Sequence, residues 1–202
     1  MPLRVGLTGQ PRIGKSTLMK RVIERLKVRG VVVGGMLTAD IHEGGQRVGF
    51  SLEDIRTGEQ GILAHVQLNR TGPIVGKYTV NLTDLDRIGT QAIFEALARP
   101  ETQVLLIDEI GPMELKSRLF VAALEKALAS DKHLMLTVHQ RSAHELVQRI
   151  KRTFQVLEVT VTNRDELPTV IMEALREITN SKYQIANKSE EDFEKPPDPE
   201  AI

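Results

Sequence analysis

The sequence predicts an α/β fold, a central and mostly parallel β-sheet flanked by helices with one inserted β-hairpin. Three observations carry that expectation. Apolar runs alternate with segments of helical period along the chain. The first run, Leu3-Arg4-Val5-Gly6-Leu7, leads straight into Gly9-Gln10-Pro11-Arg12-Ile13-Gly14-Lys15-Ser16-Thr17, and Leu18, Val22 and Leu26 then recur at helical spacing. Further along, Val104-Leu105-Leu106-Ile107 is a continuous apolar run, the mark of a strand buried on both faces, and it ends in Asp108-Glu109.

Taken in order, a first strand over Leu3 to Leu7 and a first helix after Thr17 are followed by an extended region from Val31 to about Ile41. Gly44-Gly45 marks a turn, and Arg47 to Ile55 runs back as a second strand, the inserted hairpin. Residues 69–81 are polar and rich in Gly, which predicts a mobile loop near the site, before a helix from about Leu82 to Ala98. Beyond the Asp-Glu strand, a helix over Ser117 to Ala129 buries Phe120, Leu124 and Leu128. Leu134 to Val138 reads as a strand, Ala143 to Ile150 as a helix, Val156 to Thr160 as a strand and Arg164 to Ile178 as the last helix. Pro168 falls in its first turn, where a missing N–H costs little. These elements make one domain over residues 1–179. From residue 180 onward, acidic residues mix with Pro196, Pro197 and Pro199, the composition of a disordered tail.

The G-x-x-x-x-G-K-S/T spacing from Gly9 to Thr17 has a physical reading. Its glycines let consecutive backbone N–H groups converge on an anion, and the helix that follows adds the positive end of its dipole. The strand before it and the helix after it meet the context this motif requires; the alternative is a chance turn capping a helix. Lys15 is placed to reach the β- and γ-phosphates of a nucleoside triphosphate, Ser16 offers a hydroxyl to Mg²⁺, and Thr17 can contact the α-phosphate.

Asp108 and Glu109 would emerge at the carboxyl edge of the sheet, where open α/β sheets bind ligands. Asp108 is then the second group facing Mg²⁺, directly or through water, and Glu109 is left to orient or deprotonate an attacking water. An Asp-Glu pair is also a common solvated strand end. The phosphate loop in the same chain favours the metal-facing reading, and the Glu favours a hydrolase over a switch that needs only the Asp.

Composition bounds the partners. The 202 residues contain no Cys, which excludes disulfides and thiolate metal sites. No amino-terminal apolar segment resembles a signal peptide and no run approaches the length of a membrane span, so the expected location is cytoplasmic with no membrane partner. Lys+Arg and Asp+Glu are both 27, so no global field gathers nucleic acid, and 3% aromatic content leaves few stacking platforms. The basic cluster Arg141, Arg149, Lys151 and Arg152 reads as a solvated helix face.

Several further residues are candidates for lesser roles. Arg12 and Arg141 are candidate cations for a transition state, and Lys77 could arrive on a closing loop. His139 follows a strand end and is a candidate γ-phosphate donor. Glu114 is either a second carboxylate or a charge at a helix N-terminus. Asn163 and Arg164 either flank a base or cap the final helix.

Beyond the phosphate loop, three segments carry a family resemblance. They are Gly34-Gly35-Met36-Leu37-Thr38 through Gly44-Gly45-Gln46-Arg47-Val48-Gly49-Phe50, then Val75-Gly76-Lys77-Tyr78-Thr79-Val80-Asn81, and above all Asp108-Glu109-Ile110-Gly111-Pro112-Met113-Glu114-Leu115. In these the chain resembles the thermophilic, or cancer-related, nucleoside-triphosphatase family over roughly Leu3 to Ile178. The resemblance implies a RecA-like P-loop domain that hydrolyses ATP, GTP, CTP and UTP to the diphosphate and phosphate, slowly and with broad base tolerance. It also implies nucleotide-binding stretches at Gly9, Gln10, Pro11, Arg12, Ile13, Gly14, Lys15 and Ser16, and at Val104, Leu105, Leu106, Ile107, Asp108, Glu109, Ile110 and Gly111. Catalysis would rest on Lys15 and Glu109, and Mg²⁺ on Ser16 and Asp108. The chain departs from the family at Ala39-Asp40-Ile41-His42, where a Glu-Glu-Val-Arg-like sequence is more usual, so a substrate-gripping role for that hairpin stays open. Two other classes remain. A phosphotransferase would call for an arginine-rich lid, and no segment is dense enough in Arg to be one. A nucleotide-dependent switch would act on a protein partner.

Overall fold

A computed structural model describes residues 2–68 and 71–176; the expected tail from residue 180 lies outside them. Among these residues nine strands form one sheet: β1 (Arg4–Thr8), β2 (Val33–Glu43), β3 (Gln46–Asp54), β4 (Gln60–His65), β5 (Ile74–Val75), β6 (Tyr78–Val80), β7 (Val104–Ile110), β8 (His133–Val138) and β9 (Gln155–Glu158). Their order is β5-β6-β4-β3-β2-β7-β8-β1-β9. The run β2-β7-β8-β1-β9 is parallel throughout, whereas β3, β4, β6 and β5 continue the sheet antiparallel. The expected hairpin is thus the first turn of a four-strand antiparallel wing. Strand β8 lies between the strand that leads into the phosphate loop and the strand that carries the acidic pair.

Among the described residues, six α-helices flank the sheet: α1 (Lys15–Val28), α2 (Leu82–Asp84), α3 (Gln91–Ala98), α4 (Arg118–Ala129), α5 (Glu145–Thr153) and α6 (Leu167–Ala174). On one face, α1 and α6 bury Leu18, Val22, Leu26, Ile171 and Met172. On the other, α3, α4 and α5 bury Ile93, Phe120, Leu124, Val147 and Ile150. Strand β7 divides its side chains between the two, with Leu105 and Ile107 in one core and Val104 and Leu106 in the other. That two-residue period explains why a strand covered on both faces reads as an unbroken apolar run.

Several elements differ from expectation. The stretch 69–81 is more than a loop, because β5 and β6 pair within it as a small hairpin. Strand β4 carries no clear signal in the sequence, since Gly61 and the exposed Gln60 and Ile62 blur the alternation of Gln60–His65. The helix expected from Leu82 to Ala98 is continuous but contains a π-helical turn over Leu85–Thr90. In α4 the buried residues are Phe120, Ala123, Leu124 and Ala127, with Leu128 only partly buried. The last helix begins at Leu167 because the side chain of Asn163 holds a turn: it accepts from Thr160 N at 2.8 Å and donates to Glu158 O at 2.9 Å. Gly35 shows how closely β2 approaches β7. It has φ +111°, and a Cβ there would stand 2.0 Å from Leu106 O. No helix among the described residues is long and apolar enough to cross a membrane.

Candidate functional site

The residues between β1 and α1 form a compact loop with the geometry of an anion cradle. Gly9 has φ +141° and its position leaves no room for a Cβ, which would lie 2.7 Å from Val159 O. Gly14 and Arg12 also take left-handed backbone, at φ +111° and +64°. For Arg12 this conformation costs on the order of 1 kcal/mol, which the surrounding loop must offset. Lys15 is only 9% exposed, and its Nζ donates to the carbonyls of Gly9 at 3.2 Å and Gln10 at 3.4 Å. The ammonium is therefore held against the loop that the phosphates would enter.

Asp108 lies beneath this loop, 1% exposed. Its Oδ1 accepts from Thr137 Oγ1 at 2.5 Å, its Oδ2 from Thr38 Oγ1 at 3.5 Å, and the Ser16 hydroxyl also bonds to it. Burial raises its pKa, while the hydroxyls of Ser16 and Thr137 and the charge of Lys15 pull it back down. The Asp108–Glu109 peptide is cis, and the pairing of β7 with β8 shifts register between Ile107 and Ile110. Glu109 turns into the open cavity. Its pKa is raised by burial, lowered by Lys15 and raised again by Asp108.

Glu114 is the third carboxyl group here. It sits in a 3₁₀ turn over Glu114–Lys116, 4% exposed, and its Oε2 accepts from Gly111 N at 3.0 Å. Burial, and next the charge of Glu109, push its pKa up to about 8. At neutral pH it is protonated, so it serves as a neutral brace for the Gly111 turn and not as a helix-end charge.

The loop, Glu109 and Glu114 face one cavity of about 820 Å³, and Asp108 is buried behind its wall. Gly9, Gln10, Pro11, Arg12, Gly14, Lys15, Ser16 and Thr17 line one side, and Glu109, Gly111 and Glu114 line the floor. His139 and Arg141 follow β8 and line it too; burial and the neighbouring cations keep His139 neutral by lowering its pKa. Other expected residues lie elsewhere. The side chains of Val104, Leu105, Leu106, Ile107 and Ile110 are core, so they set the strand on which the acidic pair stands and do not line the cavity. Ile13 presents its carbonyl to Arg164 Nη1 at 3.4 Å, which ties the segment after β9 to the phosphate loop. Asn163 braces its own turn and does not cap α6, whose cap is Glu166. Lys77 is exposed at the β5–β6 turn, its Nζ 5.4 Å from the centre of the Tyr78 ring, and does not line the cavity.

Sequence reasoning missed Thr38 and Thr137, the hydroxyls that hold Asp108. The available signal was a Thr ending an otherwise apolar strand, Leu134-Met135-Leu136-Thr137-Val138. It also missed the far wall, where Arg47, Phe50, Leu63 and Val75 of the wing complete the cavity.

A strand–loop–helix cradle, a buried Asp against its Ser, and a strand inserted between the two motif strands define a P-loop nucleoside-triphosphatase domain. Comparison with known proteins agrees. The profile of the NTPase family matches residues 4–172. The nucleoside-triphosphatase THEP1 of Methanosarcina acetivorans is 48% identical over 170 residues, 84% of this chain and 94% of its own. That of Thermofilum pendens is 47% identical, covering 80% of this chain and 89% of its own. The crystal structure of THEP1 from Aquifex aeolicus superposes with a TM-score of 0.74 at 28% identity, covering 87% of this chain and 99% of that one. The solution structure of a human cancer-related nucleoside triphosphatase gives 0.71 at 32% identity, covering 87% and 98%. The chain belongs to the THEP1 nucleoside-triphosphatase family.

Proposed function

We propose that this protein is a Mg²⁺-dependent hydrolase of ATP, GTP, CTP and UTP, slow and broad in base specificity, that releases the diphosphate and phosphate. The observation that supports it most is the convergence of Lys15, Ser16 and Glu109 on one cavity, with Asp108 fixed directly beneath Ser16. The donor set suits Mg²⁺, which takes one or two protein oxygens and completes its shell with phosphates and water. Ser16 and Asp108 would hold the ion, and Thr137 and Thr38 fix the carboxylate that does so. Bound there, Mg²⁺ neutralises charge on the β- and γ-phosphates.

The protein's own groups do the rest. The loop amides and Lys15 cradle the phosphates and offset the charge spread over the γ-phosphoryl oxygens. Glu109 orients a water toward the γ-phosphorus and takes its proton. The new P–O bond forms as the β,γ-bridging bond breaks, and the diphosphate leaves with that electron pair. The raised pKa of Glu109 suits a base.

Phosphate release from each of the four nucleotides, with Mg²⁺ and with EDTA, tests the reading. Wild type should turn over several nucleotides and stop in EDTA. Glu109→Gln should bind nucleotide yet lose roughly 10²–10⁴-fold in rate, and Lys15→Ala should lose both binding and turnover. Nucleotide binding without phosphate release in the wild type would overturn it.

A further inference from the structure

The cavity is lopsided. Metal, γ-phosphate and Glu109 belong together at the end of β7, so the α-phosphate and nucleoside point the other way, over Thr17 and toward the side where Arg164 crosses the loop. Yet none of the described residues of β9 or of the segment after it lines the cavity, which extends instead past β7 and β2 into the wing. Its volume of about 820 Å³ takes in both the phosphate loop and this wing half, whereas a hydrolase needs space only for a water beyond the γ-phosphate.

The wall of this extra space is built for a ligand. Arg47 is held on three sides: Nη1 donates to Asp40 Oδ1 at 3.2 Å, Nε donates to Tyr78 Oη at 3.3 Å, and the guanidinium carbon lies 4.7 Å from the centre of the Phe50 ring. Phe50 and Tyr78 are locked edge to face at 5.1 Å. The side chain of Arg47 is 23% exposed, and among the described residues its Nη2 has no hydrogen-bond partner. A flat, preorganised cation thus lies against Phe50, with the Tyr78 ring 6.0 Å away, and leaves Nη2 toward the cavity that Arg47 lines, a surface on which a planar ring can pack. Leu63 and Val75 add apolar wall, and Asp40 adds an acceptor at the rim.

We propose that the wing half of the cavity is a second subsite for a hydroxyl-bearing molecule with a flat heteroaromatic ring, of the nucleoside class, that takes the γ-phosphoryl group in place of water. The inference rests on the nucleoside-triphosphatase reading of the other half. The ring stacks on Arg47, Asp40 accepts from a ring N–H or a hydroxyl, and the ligand's free hydroxyl faces the γ-phosphorus. In transfer, the hydroxyl oxygen bonds to phosphorus, its proton passes to Glu109, and the β,γ-bridging bond breaks with its electron pair leaving on the diphosphate. The products are a nucleoside monophosphate and a nucleoside diphosphate. When the subsite holds only water, the same step gives phosphate.

The test uses the full chain and five probes: adenosine, guanosine, cytidine, uridine and thymidine. Saturating ADP with Mg²⁺ first fills the triphosphate site, and each probe is titrated by calorimetry. Then ATP and Mg²⁺ are added with each probe, and ³¹P NMR separates nucleoside monophosphate from inorganic phosphate. We expect at least one probe to bind the ADP-loaded protein, to weaken tenfold or more in both Arg47→Ala and Arg47→Lys, and to be phosphorylated. Arg47→Lys keeps the charge but loses the flat surface, and an ADP-induced rise in melting temperature shows that each variant is folded. Failure of every probe to bind below 5 mM, to the order of magnitude at which stacking alone holds a ligand, overturns the inference. So does binding without a phosphorylated product, or binding that Arg47→Ala and Arg47→Lys leave unchanged. Phosphate release without any probe reads out the hydrolase half separately, so either reading can fail while the other stands.

Discussion

Replacing Glu114 by Gln should stabilise this protein, and by an amount that grows with pH. The carboxyl group is 4% exposed and its pKa is pushed up to about 8 from an ordinary 4.5. A raised acid binds more protons in the folded than in the unfolded chain between those two values, so stability is fully present below about pH 4.5 and is lost as pH rises toward 8. Each unit corresponds to about 1.4 kcal/mol, so the raised pKa costs about 1 kcal/mol of stability at pH 5, about 3 at pH 7 and up to about 5 above pH 8. Gln is neutral throughout, and its carbonyl can accept from Gly111 N as Oε2 does now at 3.0 Å. Thermal unfolding of the nucleotide-free proteins from pH 5 to pH 9 measures the difference. At about 2–4 °C per kcal/mol for a domain of this size, the variant should melt roughly 10 °C or more above wild type at pH 8.5 and within a few degrees of it at pH 5. A gap that does not change with pH, or a wild type that gains on the variant at alkaline pH, would refute the reasoning and show Glu114 to be charged and paired.

Thr137→Val removes the hydroxyl that donates to Asp108 at 2.5 Å while keeping the shape of the side chain; Mg²⁺ affinity, read from the metal dependence of phosphate release, should fall about 10–100-fold. Gly35→Ala must place a Cβ where Leu106 O now lies 2.0 Å away, at a φ of +111°. It should cost more than about 3 kcal/mol in urea unfolding, and a near-neutral result would mean that β2 does not press on β7 as described. Ser117→Ala deletes the cap that accepts from Phe120 N at 2.9 Å and also bonds Asp86. Its loss should be about 1–2 kcal/mol with nucleotide affinity unchanged.

The parallel half of the fold was legible because its signals are local. Gly9 to Thr17 and Val104 to Glu109 each state their own strand, edge and chemistry in a few consecutive residues. The antiparallel wing was only partly legible. Ile74–Val75 and Tyr78–Val80 are too short to show a period, and they are strands only because β4 pairs with β6 and β6 with β5. The same division runs through the site. Lys15, Ser16, Asp108 and Glu109 could be named from sequence, whereas Thr38 and Thr137 matter only because β2, β7 and β8 are neighbours in the sheet. Arg47 and Phe50 could not be found that way, since their place in the cavity depends on β3 folding back across β2.

The order Asp-Glu, and not its reverse, follows from the period of β7. Leu106 faces the α1 side of the sheet, and two residues later Asp108 must face the same side, which brings it under Ser16 at the first turn of α1. Burial there is tolerable because three hydroxyls and the Lys15 ammonium surround the carboxylate. Glu109 has the opposite parity, and the register shift between Ile107 and Ile110 occurs at this point, where the sheet stops dictating direction. Its side chain enters the cavity, with a longer reach and fewer hydrogen bonds to hold it. A fixed carboxylate and a less constrained one are therefore separated by a single peptide unit, the first tied to the loop proposed to hold the phosphates and the second open to the space between that loop and the wing, where the proposed attacking hydroxyl would lie.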